Sequence, residues 1–244
     1  MKKILLIILG VIIVLIIILF IKTFTYPFKK NSSTTTKEWK IVKNDSAVQR
    51  FSNGIKIATI STGELGDFDY STFDTFKEYL KKSYPEIYKN TENYEVNKYG
   101  LVFKLKGSQP NLEPILFISH MDVLPPGDAD IKNKEENIFK PDDKALPRVT
   151  KVAENWDFAP FSGAVANGRI YGRGTIDMKG MLFSLMESMS NTIKSGHIPK
   201  RDIYLAFGFD EEVGGQKGAA QIANHFKKQG LKFDAVYDEG GLIL

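Results

Sequence analysis

Four short motifs place acids or a histidine where a metal-assisted hydrolysis could be run. The first is Ile118-Ser-His120-Met-Asp122. In an extended segment, residues two apart face the same side, so Asp122 can accept a bond from one His120 nitrogen while the other nitrogen binds a metal. The second is Gly172-Arg-Gly-Thr-Ile-Asp177-Met-Lys-Gly180, where glycines permit tight turning and a two-oxygen carboxylate can bridge two cations. The third, Phe207-Gly-Phe-Asp210-Glu211-Glu212, sets three carboxylates together straight after an apolar run. Such neighbours repel unless cations sit among them. The fourth is Asp238-Glu-Gly-Gly241. Each alone has a plainer reading: a satisfied histidine, a helix N-cap at Asp177, a solvated acidic turn, a simple turn. Together, one imidazole and several carboxylates suit a divalent site, zinc being the usual choice where water must be activated.

The elements that must carry these motifs alternate. Ile55–Ile60, Leu101–Leu105, Ile115–Ile118, Ile203–Phe207 and Ala235–Tyr237 read as short apolar strands. Phe73, Phe76, Leu80 and Tyr84 step at helical spacing until Pro85 stops or kinks the helix. A second helical stripe runs through Met178, Met181, Leu182, Leu185, Met189 and Ile193, and a third helix covers Gln216–Gln229. Strands alternating with helices predict an α/β fold, a mixed sheet covered on both faces, whose ligands gather at the carboxyl ends of the strands. All four motifs follow such strands or open a helix.

Ahead of this body, Ile4–Ile21 is an unbroken apolar run. As a helix over residues 4–22 it matches the ~30 Å hydrocarbon core of a bilayer. It lacks the small-residue cleavage site of a secretory signal, so residues 1–30 are expected to be an uncleaved membrane anchor with the bulk of the chain on the non-cytoplasmic side. Residues 31–40 read as a polar linker and 41–244 as the catalytic body. The 244 residues hold 33 basic and 29 acidic side chains and no cysteine, which excludes disulfide scaffolds, thiolate metal sites and a cysteine nucleophile. Five of the lysines lie in the first thirty residues, leaving residues 31–244 with 28 basic against 29 acidic groups, a poor match to nucleic acid.

The motifs resemble those of the co-catalytic zinc peptidases that include carboxypeptidase S, aminoacylase and the bacterial desuccinylases. The resemblance also runs through Asn155-Trp156 to Pro160-Phe161-Ser162-Gly163 and Tyr171-Gly-Arg-Gly174. Gly107-Ser-Gln-Pro110, the Asp238-Glu-Gly-Gly241 ending and the anchor resemble the carboxypeptidase S and N-fatty-acyl-amino-acid synthase/hydrolase branch. The resemblance implies two zinc ions, with His120 and Asp238 on one, Asp177 bridging, Glu212 on the other, Glu211 as general base and Asp122 orienting His120. It implies a peptide or N-acyl amino acid as substrate. It also implies that a lid and dimerisation domain, closing strands and a last histidine ligand lie beyond residue 244, so a homodimer is expected only of the longer protein. Against the family pattern, Gly127–Asn155 is a long polar insertion, read as a solvated loop in preference to a substrate-selecting rim. His197 and His225 read as ordinary surface or packing residues. A second reading of the chain is a membrane-tethered metal-binding or interaction remnant without turnover.

Overall fold

The computed structural model describes residues 2–25, 44–61, 69–126, 128–131 and 153–240. The 31–40 linker, most of the Gly127–Asn155 insertion and the last four residues lie outside them. Two compact units divide at Lys43/Asn44.

The described part of the first unit is a helix, α1 (Lys2–Thr25), with apolar side chains exposed on all sides of it. Its 24 residues span about 36 Å at ~1.5 Å per residue, long and apolar enough to cross a membrane. Thr23 and Thr25 turn their hydroxyls back onto the Leu19 and Ile21 carbonyls, so even the polar end satisfies itself.

The second unit opens with α2 (Asp45–Ile55), capped by the Asn44 side chain, which accepts from the Ala47 N–H. Helix α3 (Tyr70–Ser83) ends just before Pro85, which sits at the first turn of α4 (Pro85–Asn90), where its missing N–H costs nothing. Strands β1 (Glu92–Val96), β2 (Gly100–Leu105) and β3 (Ile115–His120) follow. Two small ladders come next: β4 (Asp128–Ile131) with β5 (Ala153–Trp156), and β6 (Val165–Ala166) with β7 (Arg169–Ile170). Helix α5 (Lys179–Lys194), strand β8 (Ile203–Gly208), helix α6 (Ala219–Lys228) and strand β9 (Ala235–Tyr237) complete the unit.

The main sheet has the order β1-β2-β8-β3-β9. Strands β1, β2 and β8 pair antiparallel, and β8, β3 and β9 run parallel. Side chains alternate between faces with the period of two that a strand imposes. Leu101, Phe103, Leu205 and Phe207 pack on Phe73, Phe76, Leu80, Leu182 and Met186 from α3 and α5. Val102, Leu116, Tyr204 and Ala206 pack on Ile222 and Phe226 of α6. The fold is therefore the expected α/β arrangement, a mixed sheet with helices on both faces.

Two expectations shift. Ile55–Ile60 is not a strand: Ile55 ends α2, and only Ile60 bridges to Val123. The segment is fastened instead through single backbone bonds, Val123 N–H to Thr59 O and Ser61 N–H to Val123 O. Helix α6 begins three residues later than the pattern suggests, because the Lys217 and Gly218 N–H groups are spent on the Asp210 carboxylate, at 2.7 and 2.8 Å.

Candidate metal centre

Because β3, β8 and β9 are parallel, their carboxyl ends share one edge, and three of the four motifs meet there. His120 is the last residue of β3, in register with Gly208 at the end of β8. Its ring is 2% exposed. Nδ1 lies 2.9 Å from the Asp122 backbone oxygen and 3.2 Å from Asp122 Oδ1. Both partners only accept, so Nδ1 carries the hydrogen, and Nε2 is the nitrogen left to face the cleft. Nε2 stands 3.0 Å from Asp177 Oδ1 and 3.6 Å from Glu211 Oε2.

Asp177 reaches this point from the turn ahead of α5. It does not cap that helix, whose N-cap is Met178 without a side-chain cap bond. Its side chain is 60% exposed and points to His120. The plainer capping reading of Asp177 therefore does not hold.

Asp122 does more than the motif suggests. It is fully buried, and its carboxylate accepts the Ser61 hydroxyl at 2.7 Å and the N–H groups of Glu211 and Glu212 at 3.1 Å each. One carboxylate thus aligns the imidazole and anchors the short 3-10 turn Glu211–Val213. Asp210, also buried, closes the same loop from the far side through Lys217 and Gly218. Of three consecutive acids, the first turns inward to build the loop and the next two are presented by it.

The charges are unevenly matched. Burial pulls the His120 imidazole down, but the hydrogen bond and charge of Asp122, with Glu211, outweigh it and raise the group to about 9. Burial, then the charge of Asp177, pushes Glu212 up to about 7. Glu239 is raised too, first by burial and then by Asp177, Glu211 and Asp238 against the pull of His120. A crowd of carboxylates around one imidazole is the environment that a divalent cation relieves.

Among the described residues, ligand atoms of His120, Asp177 and Glu239 lie within 4.8 Å of one another. The ligand expected from this motif is Asp238; in the structure its neighbour Glu239 approaches His120 and Asp177, while the Asp238 carboxylate accepts the Glu239 N–H at 2.9 Å. Glu212 is held beside the cluster but is not one of the three. His225 packs against Tyr94 and bonds Gln229, and His197 is exposed. Nitrogen from one imidazole with oxygen from carboxylates is a donor set that fits zinc or a similar divalent ion.

Residues 145–243 match peptidase family M20/M25/M40. The chain is 32% identical over 233 residues to the N-fatty-acyl-amino acid synthase/hydrolase PM20D1 of Xenopus tropicalis, covering 93% of this chain and 40% of that protein. It is 34% identical over 199 residues to the probable carboxypeptidase S-like 2 of Dictyostelium discoideum, covering 80% and 34% respectively. Residues 145–243 are thus an M20/M25/M40 peptidase segment. The family segment contains Asp177, Glu211, Glu212, Asp238 and Glu239, and β3 brings His120 to them from outside it. The fold agrees: an M20 metallo-carboxypeptidase of Sulfolobus solfataricus superposes with a TM-score of 0.54 at 20% identity, over 81% of this chain and 38% of that one. Human carnosine dipeptidase 1 gives 0.52 at 16% identity, over 82% and 39%. The chain spans no more than about two fifths of these relatives.

Proposed function

We propose that this chain carries the metal-binding face of a hydrolase that cleaves the amide bond of a peptide or an N-acyl amino acid. The observation that carries the reading is the His120 Nε2–Asp177 Oδ1 approach of 3.0 Å, with Glu211 and Glu239 beside it at the shared carboxyl edge. His120 and Asp177 would hold one zinc-like ion with a carboxylate from the Asp238–Glu239 pair. Asp177 would be shared with a second ion held by Glu212. Such ions supply a Lewis acid that makes water nucleophilic at neutral pH. Glu211 takes the proton of the attacking water and returns it to the leaving amine, since its carboxylate is half-exposed toward the cleft while its backbone is fixed by Asp122. Asp122 keeps the His120 hydrogen on Nδ1.

The test is hydrolysis of N-acyl amino acids and dipeptides by the full chain with zinc, with chelator, and as Glu211→Gln. Glu211→Gln should keep its metal and lose about 100-fold or more in turnover. Turnover equal to the parent's would remove Glu211 from its role. Comparing Asp238→Asn with Glu239→Gln for loss of metal decides which of the pair is the ligand. A second reading is a metal-binding domain without turnover. Bound metal with no hydrolysis of either substrate class would select it. Helix α1 we read as the membrane anchor, with the body on the non-cytoplasmic side.

A further inference from the structure

Lys179 is wholly buried, yet it lies two residues from Asp177 and touches none of the ligand atoms. Its Nζ donates to the Ile57 carbonyl at 2.6 Å and the Gly54 carbonyl at 3.3 Å. Those oxygens sit at the end of α2, where the helix dipole is negative. The Gly54 oxygen also accepts the Ile57 N–H at 3.4 Å and the Ile57 oxygen the Thr59 N–H at 3.0 Å, and Nζ adds a further donor to each. The ring of Phe76 supports Nζ from another side, 4.5 Å from its centroid. Burying an amine is costly, and a methionine would fill the same space without that cost. The placement of Nζ therefore calls for a function.

Asp177 supplies one. Its carboxylate has a single partner among the described residues, His120, so its position is set almost entirely by its backbone. That backbone is packed to the limit around the lysine. A side chain at Gly180 would meet the Thr175 carbonyl at 2.3 Å, and one at Gly174 would lie 2.7 Å from Val123 and 3.5 Å from the Lys179 stem. The Ser119 hydroxyl holds the Met178 carbonyl at 3.3 Å. These contacts fix the turn to the start of α5, and Lys179 fixes the start of α5 to α2.

We infer that Lys179 is a positioning residue, whose buried Nζ fastens the Asp177 turn to the end of α2 so that the carboxylate is presented to His120. The inference rests on the metal-centre reading above. The test uses cobalt(II) alone as probe on the full chain, read by affinity and visible absorption, for the parent, Lys179→Met, Lys179→Arg and Asp177→Asn. Lys179→Met should keep its far-ultraviolet dichroism but bind cobalt about tenfold more weakly or worse, with an altered spectrum, and Lys179→Arg should recover part of the loss. Parent-like affinity and spectrum in Lys179→Met, while Asp177→Asn loses cobalt, would overturn the tether and leave the metal centre standing. Parent-like binding by Asp177→Asn would overturn the metal centre and the tether with it. Should Lys179→Met fail to fold, amide exchange in the parent decides. Residues 174–179 as protected as the body of α5 support the tether; exchange at free-loop rates overturns it.

Discussion

Replacing Asp122 by asparagine changes one buried atom and should unsettle both halves of the site. Four donors converge on this carboxylate: the Ser61 hydroxyl, the Glu211 and Glu212 N–H groups, and His120 Nδ1. Oδ1 serves Glu211 and His120, and Oδ2 serves Ser61 and Glu212. An amide in either orientation turns an NH2 group toward one of these pairs. His120 Nδ1 keeps the Asp122 backbone oxygen, and the Ser61 hydroxyl can turn to accept. One backbone N–H, of Glu211 or of Glu212, therefore loses its acceptor in a site with no exposure. At ~1–3 kcal/mol for a buried group left unsatisfied, the loss is about 1–3 kcal/mol. That is a large share of the ~5–15 kcal/mol that holds a domain together. Asp177→Asn, exposed and among the described residues bonded only to His120, should cost about 1 kcal/mol or less by the measure of exposed ion pairs. Urea unfolding of the metal-free body, started at Asn44 and kept in chelator, gives both numbers from the shift in midpoint at constant slope. A loss below about 1 kcal/mol for Asp122→Asn would refute the claim that this carboxylate builds the site.

Further outcomes follow from the charges and from α1. Glu212 is raised from 4.5 to about 7, so the native state holds its proton more tightly than the unfolded chain does. Its contribution is complete below pH 4.5 and is lost as pH rises through about 7. The stability difference between the metal-free parent and Glu212→Gln should therefore fall across that window, and a pH-independent difference would refute it. His120 has the same sign over a higher window, complete below about 6.5 and lost as pH rises through about 9. Lys179, which burial pushes down to about 7 against the opposing pull of Asp122, has the other sign: its burial penalty is relieved as pH rises from 7 toward 10.5. The full chain should stay with membranes through an alkaline carbonate wash, whereas a chain beginning near Thr36 should not. Protease added outside intact cells should reach the body, and protection of the body would reverse the orientation.

Much of this was legible in the sequence because strong patterns carried it. Ile115–His120 and Ile203–Gly208 are apolar runs that become the central parallel pair, and their parallel pairing gathers the acids that follow them. Polar elements were not legible. Strand β1, with the sequence Glu-Asn-Tyr-Glu-Val, lies at a sheet edge where charge is favoured, so it shows no apolar alternation. Helix α2 was hidden because its start is written in a cap, Asn44, and its last residue, Ile55, opens a run that alternates like a strand. At the site, residue types pointed to His120, Asp177 and the paired glutamates. Backbone direction sets how adjacent acids point, so the approach of Glu239 to His120 and Asp177 and the four-fold use of Asp122 became visible only in three dimensions.

The central claim is that His120 and Asp177 share a divalent ion. Crystals of the full chain grown with zinc, with data collected on both sides of the zinc absorption edge, test it directly. An anomalous peak is expected between His120 Nε2 and the Asp177 carboxylate, at bonding distances of ~2.0–2.2 Å, and no such peak in Asp177→Asn. Zinc bound elsewhere, with His120 still hydrogen-bonded to Asp177, would contradict it.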